Sequence, residues 1–154
     1  MRAVILDNLR SAWNVGSVFR TAAALNYETI ALCGVTITPP AKKIRQTSRG
    51  MEDQVCWEAY QNTSEAIDQY KDKGYAVVAL ETHSSSTIMN QWKPLNKVVF
   101  VIGNEAMGIS KKVLEQCDHL IELPILSEQT GINVSCAFAA AAYQDYFIMS
   151  YNAV

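Results

Sequence analysis

Three short runs in the sequence carry side chains able to do chemistry. Gly103-Asn104-Glu105, with Gly108 following, sets an amide and a carboxylate between glycines that let the backbone turn sharply. The spacing of Gly103 and Gly108 fits a phosphate loop, but Ile109 and Ser110 stand where Lys and then Ser or Thr are required. Glu105 would repel a polyphosphate and favour a ligand with positive charge or hydroxyl donors. The run therefore reads as a ligand loop and not as an NTPase, with an ordinary strand-to-helix turn capped by Ser110 as an equal alternative. The second run is Asn14-Val15-Gly16-Ser17-Val18-Phe19-Arg20, in which Asn14 is placed to cap a helix. Gly16 in its first turn suits a close approach by another backbone or a substrate, and Arg20 lies one turn beyond it on the same side. The third is Asn133 with Ser135, opening a long alanine-rich segment where unpaired N–H groups and the positive end of the helix dipole favour polar ligand groups. Taken singly, a solvated Arg20 and plain capping by Asn133 are the simpler readings.

Lys42, Lys43, Arg45 and Arg49 form the basic cluster of the chain. They lie within eight positions with no acid between them, beside Gln46, Thr47 and Ser48, which can donate to phosphate oxygens. A solvated loop or short helix face explains the same run. His83 follows a polar strand end and reads as a surface residue before an acid or base. Cys33, Cys56, Cys117 and Cys136 are scattered without a Cys-x-x-Cys pair, and the remaining histidine is His119, so no metal set is expected.

These residues need a scaffold that brings distant runs together. Val98 to Ile102 is apolar without alternation, as in a parallel strand buried on both faces. Further strands are expected at Arg2–Leu6, Thr29–Cys33, Val55–Tyr60, Tyr75–Leu80 and His119–Glu122. Helices are expected from Asn14 to about Asn26, Glu65 to Lys73, Ser110 to about Cys117, and from Asn133 onward. Strands alternating with helices give an α/β fold with a mostly parallel sheet, whose strand ends at Leu80–Thr82 and Gly103–Gly108 would form a ligand crevice.

The 154 residues, 49% hydrophobic and 18% charged with a formal net charge of −2, suit one domain spanning 1–154. Nucleic-acid binding would have to come from a local patch. No apolar run approaches a membrane span, and Met1 leads straight into a strand, so a cytoplasmic protein without a leader is expected.

Taken together and in this order, the three runs resemble the motifs of the SpoU-type (TrmH-like) RNA ribose 2′-O-methyltransferases of the SPOUT superfamily. Asn14-Val-Gly16-Ser-Val-Phe-Arg20 is similar to that family's N-x-G-x-x-x-R. The second motif is Gly103-Asn104-Glu105 with Gly108. The third is Leu123-Pro124-Ile125 with Gly131-Ile132-Asn133-Val134-Ser135. The resemblance implies an α/β domain with a deep C-terminal trefoil knot, which general topology rules would not suggest. It implies S-adenosylmethionine, with S-adenosylhomocysteine as product, held by three loops: Leu80, Glu81 and Thr82; Ile102, Gly103, Asn104, Glu105 and Gly108; and Ile121, Leu123, Pro124 and Ile132. It further implies a homodimer in which Arg20 reaches the methyl donor of the other subunit, with Phe138, Ala141 and Ala142 of the last helix in the interface.

By the same resemblance, Arg20 orients the ribose hydroxyl and stabilises charge, a guanidinium being a poor base. Asn14 fixes substrate and Arg20, Glu105 stands on the substrate side, and Asn133 with Ser135 orders the loops. Lys42, Lys43, Arg45 and Arg49 hold the backbone of a tRNA or rRNA. One departure is Gly131, where the family commonly has Ser. A catalytically silent RNA-binding protein keeping the fold and cofactor pocket is the alternative; a flavodoxin- or dehydrogenase-like protein is weakened by the lack of Gly-x-Gly-x-x-Gly.

Overall fold

A computed structural model describes residues 1–127 and 131–152. Among these the strands are β1 (Arg2–Asp7), β2 (Thr29–Cys33), β3 (Cys56–Tyr60), β4 (Ala76–Leu80), β5 (Thr87–Ile88), β6 (Val98–Ile102) and β7 (His119–Glu122). The helices are α1 (Ala12–Ala24), α2 (Lys42–Ser48), α3 (Thr63–Asp72), α4 (Lys111–Leu114) and α5 (Val134–Asn152). The strands form one sheet in the order β3-β2-β1-β6-β4-β7-β5, and every pairing is parallel. The α/β class with a mostly parallel sheet expected from the sequence is the one observed. β6 lies between β1 and β4, and all five of its side chains are buried, which is why it shows no polar alternation.

Alternation of side chains across the sheet divides the core in two. On one face Val4, Leu6, Phe100 and Ile102 meet Val15, Val18 and Phe19 of α1 together with Phe138 and Ala141 of α5. On the other, Ile5, Val99 and Val101 meet Ala66, Ile67 and Tyr70 of α3 and Val113 of α4. Phe138, Ala141 and Ala142 are thus buried within the chain, against the expectation that they lie in a subunit interface. The exposed aromatic residues of α5 are Tyr143, Tyr146, Phe147 and Tyr151. Arg2 on β1 donates to Asp145 at 2.5 Å and Trp92 Nε1 donates to the same carboxylate at 3.1 Å, which ties the far half of α5 to the sheet.

Local sequence accounts for the helix limits. Ser11, not Asn14, caps α1: its Oγ accepts from the Asn14 N–H at 3.3 Å. Asn14 falls one turn inside, buried, with its amide free to reach across to other elements. Asn26 takes a positive φ of 52° just past the end of the helix, as expected of a terminating Asn. Gly16 is where α2 crosses α1: a Cβ there would stand 2.7 Å from the Ile44 carbonyl oxygen and 2.8 Å from Thr47 Cβ. The close approach foreseen at this glycine is therefore by backbone. β5, two residues long, and the placement of α2 have no counterpart in the sequence reading. β7 inserts between β4 and β5, so the connection from β4 to β5 passes over it.

Candidate active site

The carboxyl ends of β4, β6 and β7 open on a cavity of about 470 Å³, within the range of small-molecule sites and where parallel sheets place ligands. Its walls come from three loops. After β4 stand Leu80, Glu81 and Thr82; after β6, Gly103, Asn104, Glu105 and Gly108; after β7, Leu123 and, further on, Ile132 and Asn133. Nine of the residues expected at a cofactor therefore line it. Ile102 and Ile121 do not: both are fully buried in their strands, behind the wall. Pro124 is exposed and also absent from the lining. Glu122, Ile125, Gly131, Val134 and Ala137 line it without having been singled out for that. Residues 128–130, inside the loop expected to run from Ile121 to Ile132, lie outside the described residues.

The loop after β6 is held by its own side chains. Asn104 Nδ2 donates to the Asn8 carbonyl at 2.7 Å, and its Oδ1 accepts from the N–H groups of Ala106 and Met107 at 2.9 and 3.1 Å. The Gly108 N–H closes the turn on the Asn104 carbonyl at 2.9 Å. Both glycines are required. A Cβ on Gly103 would stand 2.5 Å from the Gly108 carbonyl carbon and 2.6 Å from the Ile109 nitrogen, and Gly108 has a φ of 64° with Glu81 Oε2 where a Cβ would go. Glu81 accepts from the Ile109 N–H at 2.9 Å and from the Thr82 N–H at 3.2 Å, joining the first loop to the second.

Glu105, Asn14 and Asn133, from the three motifs, form one chain of hydrogen bonds. Glu105 Oε1 accepts from the Ser11 N–H at 3.0 Å and from Asn14 Nδ2 at 2.9 Å, while Oε2 accepts from the Arg10 N–H at 3.2 Å. Asn14 Oδ1 in turn accepts from Asn133 Nδ2 at 3.0 Å. Asn133 Oδ1 caps α5, accepting from the N–H groups of Ser135 and Cys136 at 2.9 and 3.3 Å and from Ser135 Oγ at 2.7 Å. Partial burial alone would raise the Glu105 carboxyl, but the donors from Asn14, Arg10 and Ser11 outweigh it and hold the group below its usual range. Glu105 borders the cavity and at the same time clamps the start of α1, a role the sequence reading did not give it. Ser135 serves the cap and does not line the cavity.

Arg20 is exposed on α1, makes no hydrogen bond or ion pair among the described residues, and is not part of the lining. Six residues beyond Asn14, it lies about 9 Å along the helix and a third of a turn around it. The structure does not bring Arg20 to the cavity of its own chain. The basic cluster sits on and just beyond α2, where Lys42, Lys43, Arg45 and Arg49 are all exposed. Arg45 is not free: it contacts Asp53 at 3.2 Å and Glu52 at 3.5 Å. The described residues contain no group of three or more His, Cys, Asp or Glu placed to hold a metal, and no helix long and apolar enough to cross a membrane.

An all-parallel α/β sheet with a small-molecule cavity at its carboxyl ends, built by three interlocked loops, defines a ligand-binding α/β protein of the crevice type. The chain belongs to the SpoU rRNA Methylase family, whose model matches residues 1–143. Among curated proteins it is similar to a putative TrmH family tRNA/rRNA methyltransferase of Staphylococcus aureus, 28% identical over 147 residues, which cover 94% of this chain and 58% of that one. The chain thus spans little more than half the length of the curated relatives it matches. Among solved structures it resembles the SpoU methyltransferase AviRb from Streptomyces viridochromogenes in complex with the cofactor AdoMet. The TM-score is 0.88 at 20% identity, covering 99% of this chain and 61% of that one. It also resembles a protein whose structure is described as giving insights into the 2-OH methylation of C/U34 on tRNA. There the TM-score is 0.87 at 19% identity, over 97% of both chains. At these identities the likenesses are likenesses of fold.

Proposed function

We propose that the protein is an S-adenosylmethionine-dependent RNA methyltransferase that transfers a methyl group to a ribose 2′-hydroxyl of tRNA or rRNA. The observation that carries this is the hydrogen-bonded chain Glu105–Asn14–Asn133 beside the cavity, which locks the three family motifs into one site. The donor set suits that cofactor. Among the described residues Glu81, Glu105 and Glu122 line the cavity and no Lys, Arg or His does, which favours a cationic ligand over a nucleotide polyphosphate. When bound, the cofactor supplies an electrophilic methyl on a positively charged sulfur. The loops Leu80–Thr82 and Gly103–Gly108, with Leu123, Ile125, Gly131 and Ile132 after β7, would hold it, mainly through backbone groups at the strand ends.

The remaining needs are position and proton removal. A hydroxyl oxygen must lie in line with the methyl carbon and the departing sulfur, and its proton must leave as the new C–O bond forms. Arg20, with five N–H donors on a planar fork, orients that oxygen and spreads developing charge. Since Arg20 stands away from its own cavity, it acts on the site of a second copy in a homodimer. The exposed Tyr143, Tyr146 and Phe147 of α5 supply apolar surface for such a contact. The trefoil passage of the chain is supported by the insertion of β7 between β4 and β5 and the return of α5 to α1. One continuous sheet shared by both cores supports the described residues as one unit. A reduced, cytoplasmic setting fits four free cysteines and an RNA substrate.

The proposal is tested by transfer of labelled methyl from S-adenosylmethionine to unmodified transfer and ribosomal RNA, read by nucleoside mass spectrometry. A new 2′-O-methyl nucleoside is expected. Donor binding without product on either RNA would favour the silent RNA-binding protein. For the basic cluster, the exposed Lys42, Lys43 and Arg49 contact RNA phosphates, and Arg45, already shared with Asp53 and Glu52, contributes less. Neutralising Lys42, Lys43 and Arg49 together is expected to weaken RNA binding and lower the slope of log affinity against log salt by about 2. Neutralising Arg45 alone should change it by well under 1. An unchanged slope in the triple variant would mark the patch as a solvated face.

A further inference from the structure

Of the three carboxylates that line the cavity among the described residues, two are committed to the protein. Glu81 accepts from the N–H groups of Thr82 and Ile109, and Glu105 from those of Arg10 and Ser11 and from the Asn14 amide. The partial positive charge of those donors offsets their fields. The carboxylate of Glu122 has no hydrogen bond or ion pair among the described residues. Glu122 is the last residue of β7, half-buried, and lines the cavity beside Leu123 at the carboxyl end of the strand. Among the described residues no cation lines the cavity to neutralise it.

We propose that Glu122 is the specificity-determining residue by which this pocket prefers the methyl donor, with its positively charged sulfur, over the product, whose sulfur is neutral. The inference rests on the reading that the cavity holds S-adenosylmethionine. An uncompensated carboxylate at a partly desolvated wall interacts with a fixed ligand charge with less screening than one in bulk water. Donor and product share their adenosine and amino-acid parts, so what separates them is the sulfur charge and the methyl group. A carboxylate that senses this charge weakens product binding relative to donor binding, and the product is easier to displace after each transfer. The same charge opposes nucleotides bearing phosphates, which otherwise share the adenosine part.

The test is calorimetric titration of the full chain and its Glu122→Gln variant with S-adenosylmethionine, S-adenosylhomocysteine and adenosine. The substitution removes the charge and keeps the shape. The ratio of donor to product affinity is expected to fall about five- to tenfold in the variant, the scale of one partly screened charge pair, with adenosine affinity unchanged. Glu122→Lys is expected to reverse the preference. An equal ratio in the wild-type chain and Glu122→Gln overturns the proposal while leaving the cavity reading intact, as does a parallel loss of affinity for all three ligands. Failure of the wild-type chain to bind any of them overturns the cavity reading itself, and the proposal with it.

Discussion

Replacing Arg20 by alanine is expected to lower methyl transfer by about 100-fold or more while leaving affinity for S-adenosylmethionine within a factor of two. Loss of a group that stabilises charge only as the reaction proceeds has costs of this size, whereas the cavity that would hold the donor is lined without Arg20. Thermal stability should not change, because the side chain is exposed and bonded to nothing among the described residues. Arg20→Lys keeps the charge but loses the planar fork, and only a small share of the rate should return. The trans arrangement has its own check. Gly103→Ala would damage the donor loop, since a Cβ there meets backbone at 2.5 Å. In a mixed dimer of Arg20→Ala and Gly103→Ala chains, one of the two sites combines an intact loop with an intact arginine, and activity should reappear on mixing. If Arg20 served its own chain, both sites would be defective and mixing would restore nothing. Full activity of Arg20→Ala alone would remove the residue from the reaction.

What the sequence made legible follows from how local each signal is. β6 could be read because five consecutive apolar residues, Val98 to Ile102, are buried on both faces, and burial on both faces leaves its mark in composition. β5 could not, because two residues carry no period. Ser11 and Asn14 are both capping types one turn apart, and pattern alone does not choose between them. The choice matters, since Asn14 can bridge Glu105 and Asn133 only because Ser11 took the cap. Glu105 was visible as a carboxylate in a loop, yet two of its partners are backbone groups more than ninety residues earlier, which no motif records.

Helix α5 misled for the opposite reason. It is apolar almost all round, so no stripe separates Phe138 and Ala141, which meet α1 and the sheet, from Tyr143 and Phe147, which do not. Arg45 looked like its neighbours because Glu52 and Asp53 lie just past the basic run and return only through the turn after α2. Glu122 reads in the sequence as the end of a strand, and its place in the cavity wall depends on where the carboxyl ends of β4, β6 and β7 meet, which no local pattern records.

The Glu105 clamp predicts a second large effect, with a definite pH dependence. Its carboxylate accepts three N–H groups, from Arg10, Ser11 and Asn14, and through Asn14 it reaches Asn133 and the start of α5. Glu105→Gln has nearly the same shape, but its amide nitrogen is a donor and would face another donor. The variant is expected to bind S-adenosylmethionine about tenfold more weakly, the loss of one charge-assisted hydrogen bond, with a greater loss for Glu105→Ala. The folded-state value of this carboxyl lies below its ordinary value, so the clamp's contribution is fully present above the unfolded value and is lost as pH falls through the folded one. Donor affinity of the wild-type chain, taken relative to Glu105→Gln so that effects of acid on the rest of the cavity cancel, should hold level from neutral pH down through the usual carboxylate range and drop only in stronger acid. Glu105→Gln should be weak throughout and lack that drop. A variant binding as tightly as the parent would make Glu105 a solvated rim group, and the coupling of the three motifs would then rest on Asn14 and Asn133 alone.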